Sequence, residues 1–79
     1  MSNQSSKEVP GELINMVSKI EEAIKRRVAI GTRISYPKLQ QEMSGRFDNQ
    51  RAIDLAILGM VKRDDFTHYE GRKVLERKR

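Results

Sequence analysis

Phe66-Thr67-His68-Tyr69-Glu70-Gly71-Arg72-Lys73-Val74-Leu75-Glu76 is the stretch that decides the fold. Two β-prone runs flank Glu70-Gly71-Arg72, a turn candidate, so the stretch reads as a β-hairpin. The residues that precede it carry helical periodicity instead. Ile53, Ala56, Ile57, Met60 and Val61 follow i, i+3, i+4, i+7, i+8, which predicts a helix that starts at an Asp48 cap and runs to about Arg63. Ser44-Gly45-Arg46-Phe47 is the turn before it. Leu39 and Met43 are four apart and predict a short helix over Tyr36 to Met43, with Ser35 as its cap and Pro37 in its first turn. Arg33-Ile34-Ser35 is long enough for one extended rung.

Further upstream, Leu13, Val17, Ile20, Ile24 and Val28 are spaced 4, 3, 4, 4, the stripe of an amphipathic helix that Ile14, Met16 and Ala23 widen. Lys19, Glu21, Glu22, Lys25 and Arg26 occupy its other side. Gly31 is expected to close this helix of about 18 residues at the position after the C-cap. Residues 1–11 read as a disordered lead or linker, since only Met1 and Val9 are apolar there and Pro10-Gly11 is a breaker pair. The domain then occupies 12–79. Its order, α-β-α-α-β-β, is that of a winged helix-turn-helix in a mainly α, α+β class.

A chain of 79 residues holds one domain, and a chain this short has a modest core. It has no Cys, which removes disulfides, thiolate zinc sites and Cys nucleophiles. No apolar run approaches the ~18 residues of a membrane span, and the polar start at Met1-Ser2-Asn3-Gln4 carries no signal core. Catalysis is not expected. Glu21-Glu22 and Asp64-Asp65 are sequence neighbours and do not converge on one point. His68 is the one His, no phosphate loop or nucleophile elbow is present, and neither a cofactor nor a metal is implied.

Sixteen Lys and Arg against eleven Asp and Glu give a net charge of +5, a lean toward an acidic or polyanionic partner. The bases fall into three groups: Lys25-Arg26-Arg27 with Arg33, Arg46 with Arg51, and Arg72-Lys73 with Arg77-Lys78-Arg79. Arg46, Arg72, Lys73 and Arg77 are the candidate DNA contacts, because a helix-turn-helix and its hairpin both reach phosphates. Lys25-Arg26-Arg27 has a second explanation, since cations at a helix C-terminus offset the helix dipole. The third helix is a poor base reader. With Ile53 and Ile57 inward, its outer side presents Asp48, Arg51, Leu55, Leu58, Gly59 and Lys62. Base edges call for Arg, Lys, Asn or Gln, and outward leucines point to a protein partner. Arg51, Leu55, Leu58 and Lys62 are therefore the candidate partner-binding residues. Phe47 and Phe66 are expected in the core and Tyr69 in solvent near the hairpin tip. Gly59, inside a helix, suggests close approach by another backbone.

Ile20-Glu21-Glu22-Ala23-Ile24-Lys25-Arg26-Arg27-Val28-Ala29-Ile30-Gly31 resembles the helix that opens the C-terminal winged-helix domain of minichromosome maintenance (MCM) replicative helicase subunits, most of all subunit five. The resemblance continues through Arg33-Ile34-Ser35, Ala52-Ile53 and Val61-Lys62-Arg63, and ends at Arg72-Lys73-Val74-Leu75-Glu76-Arg77. It implies an accessory domain of a nuclear ATP-dependent DNA helicase subunit whose motor motifs lie outside these residues. It further implies docking to other MCM subunits and helicase-loading factors, with weak, non-specific DNA contact as an auxiliary role. Asp64-Asp65 departs from the pattern, which leads one to expect Gly near the start of the wing, and Ser44-Gly45-Arg46-Phe47 differs as well. The alternative is a free-standing winged-helix transcription regulator. That would need a dimer to read two half-sites, and no helix or heptad run remains for dimerisation, so the isolated domain is expected to be a monomer.

Overall fold

The computed structural model describes residues 11–71 and 73–79. The expected lead over residues 1–11 lies outside them except at Gly11, which opens the first helix instead of ending a linker, and Arg72 lies outside them as well. Three helices and three strands follow in the expected order: α1 (Gly11–Arg27), β1 (Arg33–Ser35), α2 (Tyr36–Ser44), α3 (Gln50–Lys62), β2 (Phe66–Tyr69) and β3 (Val74–Arg77). This is a winged-helix layout.

Each helix is amphipathic and turns its stripe inward. Leu13, Ile20, Ala23 and Ile24 of α1 are buried, as are Leu39 and Met43 of α2 and Ile53, Ile57 and Met60 of α3. The principal helix contact is α1 on α3. α2 begins as its sequence dictates: the Lys38 N–H donates to the Ser35 hydroxyl at 3.2 Å, and Pro37 sits in the first turn. α3 is capped one residue later than expected. Asn49, not Asp48, accepts the Ala52 N–H at 3.0 Å. Both side chains can cap, so the choice falls to the backbone, which is extended at Asn49.

The C-terminal strand is the middle of the sheet, in the order β1-β3-β2, and both pairings are antiparallel. Ile34 pairs with Leu75 on one side and His68 with Leu75 on the other. Leu75 is accordingly fully buried, and Phe66, at the start of β2, is 1% exposed. Burial of such a side chain is worth about 1.5–3 kcal/mol, against 0–1 for a surface ion pair, so the sheet is held to the helices mainly by these apolar contacts.

The first helix ends earlier than Gly31. It stops at Arg27, and Val28 is still bonded back to Ile24 at 2.8 Å. Ala29 to Thr32 then form a turn, closed by the Thr32 N–H on Ala29 O at 3.0 Å. Gly31 has φ +88° and its N–H reaches Arg77 O at 2.7 Å. Its left-handed conformation thus serves the entry into the sheet rather than the helix cap. Gly59 also differs from expectation. A side chain there would meet Arg63 Nη1 at 3.3 Å and Glu21 Oε2 at 3.6 Å, so the bare helix makes room for an ion pair, not for a backbone. Phe47 is half-buried against the core rather than enclosed by it. Tyr69 is half-buried too, because the Arg33 guanidinium lies 4.4 Å above its ring and its hydroxyl donates to Glu76 at 3.0 Å.

The departure at Asp64-Asp65 has a geometric reading. α3 ends in paired bonds, Asp65 N–H to Met60 O at 2.8 Å and Asp64 N–H to Val61 O at 3.1 Å. This is a Schellman cap, whose left-handed residue is usually Gly. Here that residue is Asp64, at φ +64°. Asp tolerates the left-handed region better than most residues but still carries a Cβ penalty. Asp64→Gly is expected to raise stability by up to about 1 kcal/mol. Urea unfolding checks this; a lower midpoint would show that the Asp64 carboxylate contributes more than its backbone conformation costs.

Candidate interaction surface

The fold sorts the basic residues into two sets. Arg27, Arg33, Arg63 and Arg77 are engaged by the domain itself. Arg27 Nε lies 2.6 Å from Glu42 and ties α1 to α2, Arg33 pairs with Glu76 at 3.2 Å across β1 and β3, and Arg63 meets Glu21 at 2.9 Å. Arg77, one of the candidate DNA contacts, donates from Nη1 to Lys25 O at 2.9 Å and to Val28 O at 2.8 Å. Its charge therefore sits on the carbonyl end of α1, where a cation is favoured without any partner. Arg46 lies over the Phe47 ring at 5.7 Å. Among the described residues, Arg51, Lys62 and Lys73 have no acidic partner and are exposed.

The outer side of α3 carries Arg51, Leu55, Leu58 and Lys62 at spacings of 4, 3 and 4, one row along the helix. Leu55 is 41% exposed and Leu58 half-buried. On the α2 side of this row a polar network takes over. Gln40 Nε2 and Gln50 Nε2 both donate to Asp54 Oδ1, at 2.7 and 3.2 Å, and the Ser44 hydroxyl lies 3.2 Å from Gln50 Oε1. The Asp54 carboxylate is thus held by two amides on the helix-turn-helix face. Among the described residues, Ile14 and Ile30 are the other large apolar residues in solvent, at 55% and 64%. The sequence reading placed Ile14 in the core stripe. Its position, one residue and about 100° around from Leu13, was the signal that it faces outward.

Two hollows flank α1. One, of about 360 Å³, is lined by Arg27, Thr32, Arg33, Ser35 and Lys38; the other, of about 350 Å³, lies between Phe47 and Glu12, Asn15, Met16 and Lys19. The first is basic, but two of its three cations already have carboxylate partners. Among the described residues, no three His, Cys, Asp or Glu side chains gather as a metal site, and no helix is long and apolar enough to cross a membrane.

The family model described as MCM5, C-terminal domain, matches residues 19–77, from the middle of α1 through the last residue of β3. The chain belongs to this family. No curated protein and no solved structure matches. The domain is thus a C-terminal domain of the MCM helicase family, which ties it to DNA replication.

The ion pairs give this MCM5 C-terminal domain a defined response to acid. Arg27 holds the Glu42 carboxyl below the usual carboxylate range, by its hydrogen bond first and its charge second, and is itself raised by Glu42. Glu76 is lowered by the Tyr69 hydroxyl foremost and by Arg33 next. Arg63 is raised, chiefly by the hydrogen bond it donates to Glu21. For a carboxylate depressed in the folded state, the added stability is present above its unfolded value of about 4.3 and is lost as pH falls through the folded value. Glu42→Gln is therefore expected to lower the melting temperature at pH 7, with the gap to the unmodified domain closing below about pH 4. Thermal unfolding of the two proteins from pH 7 to pH 3 checks this. A gap that persists unchanged at pH 3 would assign the loss to something other than the Arg27–Glu42 pair.

Proposed function

We propose that the domain acts as a docking module of its helicase subunit, meeting protein partners through Arg51, Leu55, Leu58 and Lys62. The observation that carries this is the exposure of Leu55 at the centre of the helix that a winged-helix protein would otherwise place in a DNA groove. A leucine there meets neither phosphate nor a hydrogen-bonding base edge, and Asp54 beside it repels phosphate. Family membership supports other MCM subunits as partners. Helicase-loading factors are the further class, and the nucleus is the compartment where such docking would take place. The isolated domain is monomeric in this reading, and no cofactor takes part.

An auxiliary contact with DNA belongs to Arg46, Arg72 and Lys73. Arg46 and Lys73 are exposed and have no acidic partner among the described residues, whereas Arg77 is bound to the end of α1 and contributes through the fold. A few such cations give binding in the non-specific range of about 10⁻⁴–10⁻⁶ M, with a steep salt dependence and no sequence preference.

Two measurements test the two halves of the proposal. Leu55→Asp is expected to abolish association of the domain with the remaining MCM subunits, read as amide shifts when the labelled domain is titrated with purified subunits, while leaving its melting temperature within a few degrees. Unchanged association would remove the docking role of this face. Titration of scrambled duplex DNA at two salt concentrations should show weak binding that falls steeply with salt and weakens further in the Arg72→Ala, Lys73→Ala double variant. No binding up to about 100 μM, the weak end of the non-specific range, would eliminate the DNA contact.

A further inference from the structure

We infer that the occupant of the α3 face is an amphipathic helix of a partner protein, with acidic residues at both ends of its apolar stripe. This rests on the docking reading above and adds the chemistry of the partner. The first argument is spacing. Arg51, Leu55, Leu58 and Lys62 stand 4, 3 and 4 apart on a continuous helix. That is the repeat by which one helix receives the knobs of another, and a row from 51 to 62 is about 16 Å long, three turns of a partner helix.

Charge supplies the second argument. Among the described residues, the cations at both ends of the row, Arg51 and Lys62, have no acidic partner, although Arg27, Arg33 and Arg63 of the same domain do. The two leucines lie between them. A helix that buries Leu55 and Leu58 therefore brings its own flanking positions against a positive charge at each end. Acidic residues there are attracted and basic ones repelled.

The same pattern weighs against two other occupants. In a second copy of this chain, parallel pairing sets Arg51 against Arg51 and antiparallel pairing sets Arg51 against Lys62, so both orientations oppose like charges. A nucleic acid would have to lay its backbone beside Asp54 and across two leucines. An extended strand would bury one leucine but does not match a 4-3-4 row, since its side chains repeat every two residues.

The test uses the 79-residue chain, isotopically labelled, and two synthetic helical peptides. Both carry leucines at the two central positions of a 4-3-4 row. One has Glu at the two outer positions and the other has Lys. The Glu peptide is expected to bind at least about fivefold more tightly, the size of effect that two exposed charge pairs give, with amide shifts centred on residues 51–62. In an Arg51→Glu, Lys62→Glu variant the preference should reverse, which also shows that the variant is folded. Equal affinities, no binding of either peptide, or shifts centred elsewhere would overturn the inference. If Leu55→Asp still breaks association with the MCM subunits in that event, the docking face stands and only the helical, acidic partner is lost. If Leu55→Asp has no effect either, the docking reading fails with it.

Discussion

The placement of β3 between β1 and β2 is the constraint on which the rest of the domain depends. Among the described residues β3 is the strand with two neighbours, so the sheet does not exist until β3 is in place. Arg77 extends this closure beyond the sheet. Its N–H donates to Thr32 O, its carbonyl accepts from Gly31, and its guanidinium caps the carbonyls of Lys25 and Val28. Lys78 N–H then bonds to Asp65 O at 2.7 Å, which fixes the exit of α3. One short segment thereby joins the end of the first helix, the turn after it and the start of the wing. Each of these contacts joins residues far apart in the chain, so each carries the loop-closure cost of a non-local pairing.

What local pattern could specify was legible, and what depends on distant partners was not. The helix stripes, the Ser35 cap and the hairpin all follow from residues within one or two turns of each other. Their boundaries moved where two local signals competed: Asp48 against Asn49 for the α3 cap, and Arg27 against Gly31 for the end of α1. The sequence marks Gly31 as a special backbone position but not its purpose, because its partner is Arg77, 46 positions away in the chain. At Gly59 the expectation of a close neighbour was right in kind, but the neighbour is the Glu21–Arg63 pair, which no reading of α3 alone could supply. The departure at Asp64 marks a left-handed cap, so the expectation of Gly there was sound as geometry even though the residue is Asp.

The geometry of the proposed docking row is legible in outline for the same reason. Arg51, Leu55, Leu58 and Lys62 fall on one row because a helix is regular, and the inward positions of Ile53 and Ile57 determine the rest of the wheel. Which cations are free was not legible. Sequence groups Arg27 with Arg33 and Arg77 with Lys78 and Arg79, but the fold breaks these groups up. Arg27, Arg33 and Arg77 are drawn to Glu42, Glu76 and the end of α1. Lys73, beside the same hairpin, is left exposed.

This division bears on how one small domain could meet both protein and DNA in the role proposed for it. Electrostatic attraction to phosphate needs only unpaired cations at the surface and no fixed geometry. A protein contact needs apolar area that leaves water, and on α3 that area is small: two leucines, one of them already half-buried. At about 25 cal/mol per Å² such a patch cannot hold a partner by burial alone, once the costs of association are subtracted. Charges at its edges raise the rate of encounter and reject the wrong partners more than they add affinity. Contact through this face would then be weak for the isolated domain and strengthened by tethering, because attachment to a helicase subunit replaces a bimolecular search with a high effective concentration. A domain of modest core and modest interface is consistent with that use: its surface contributes selectivity, and its attachment contributes the strength.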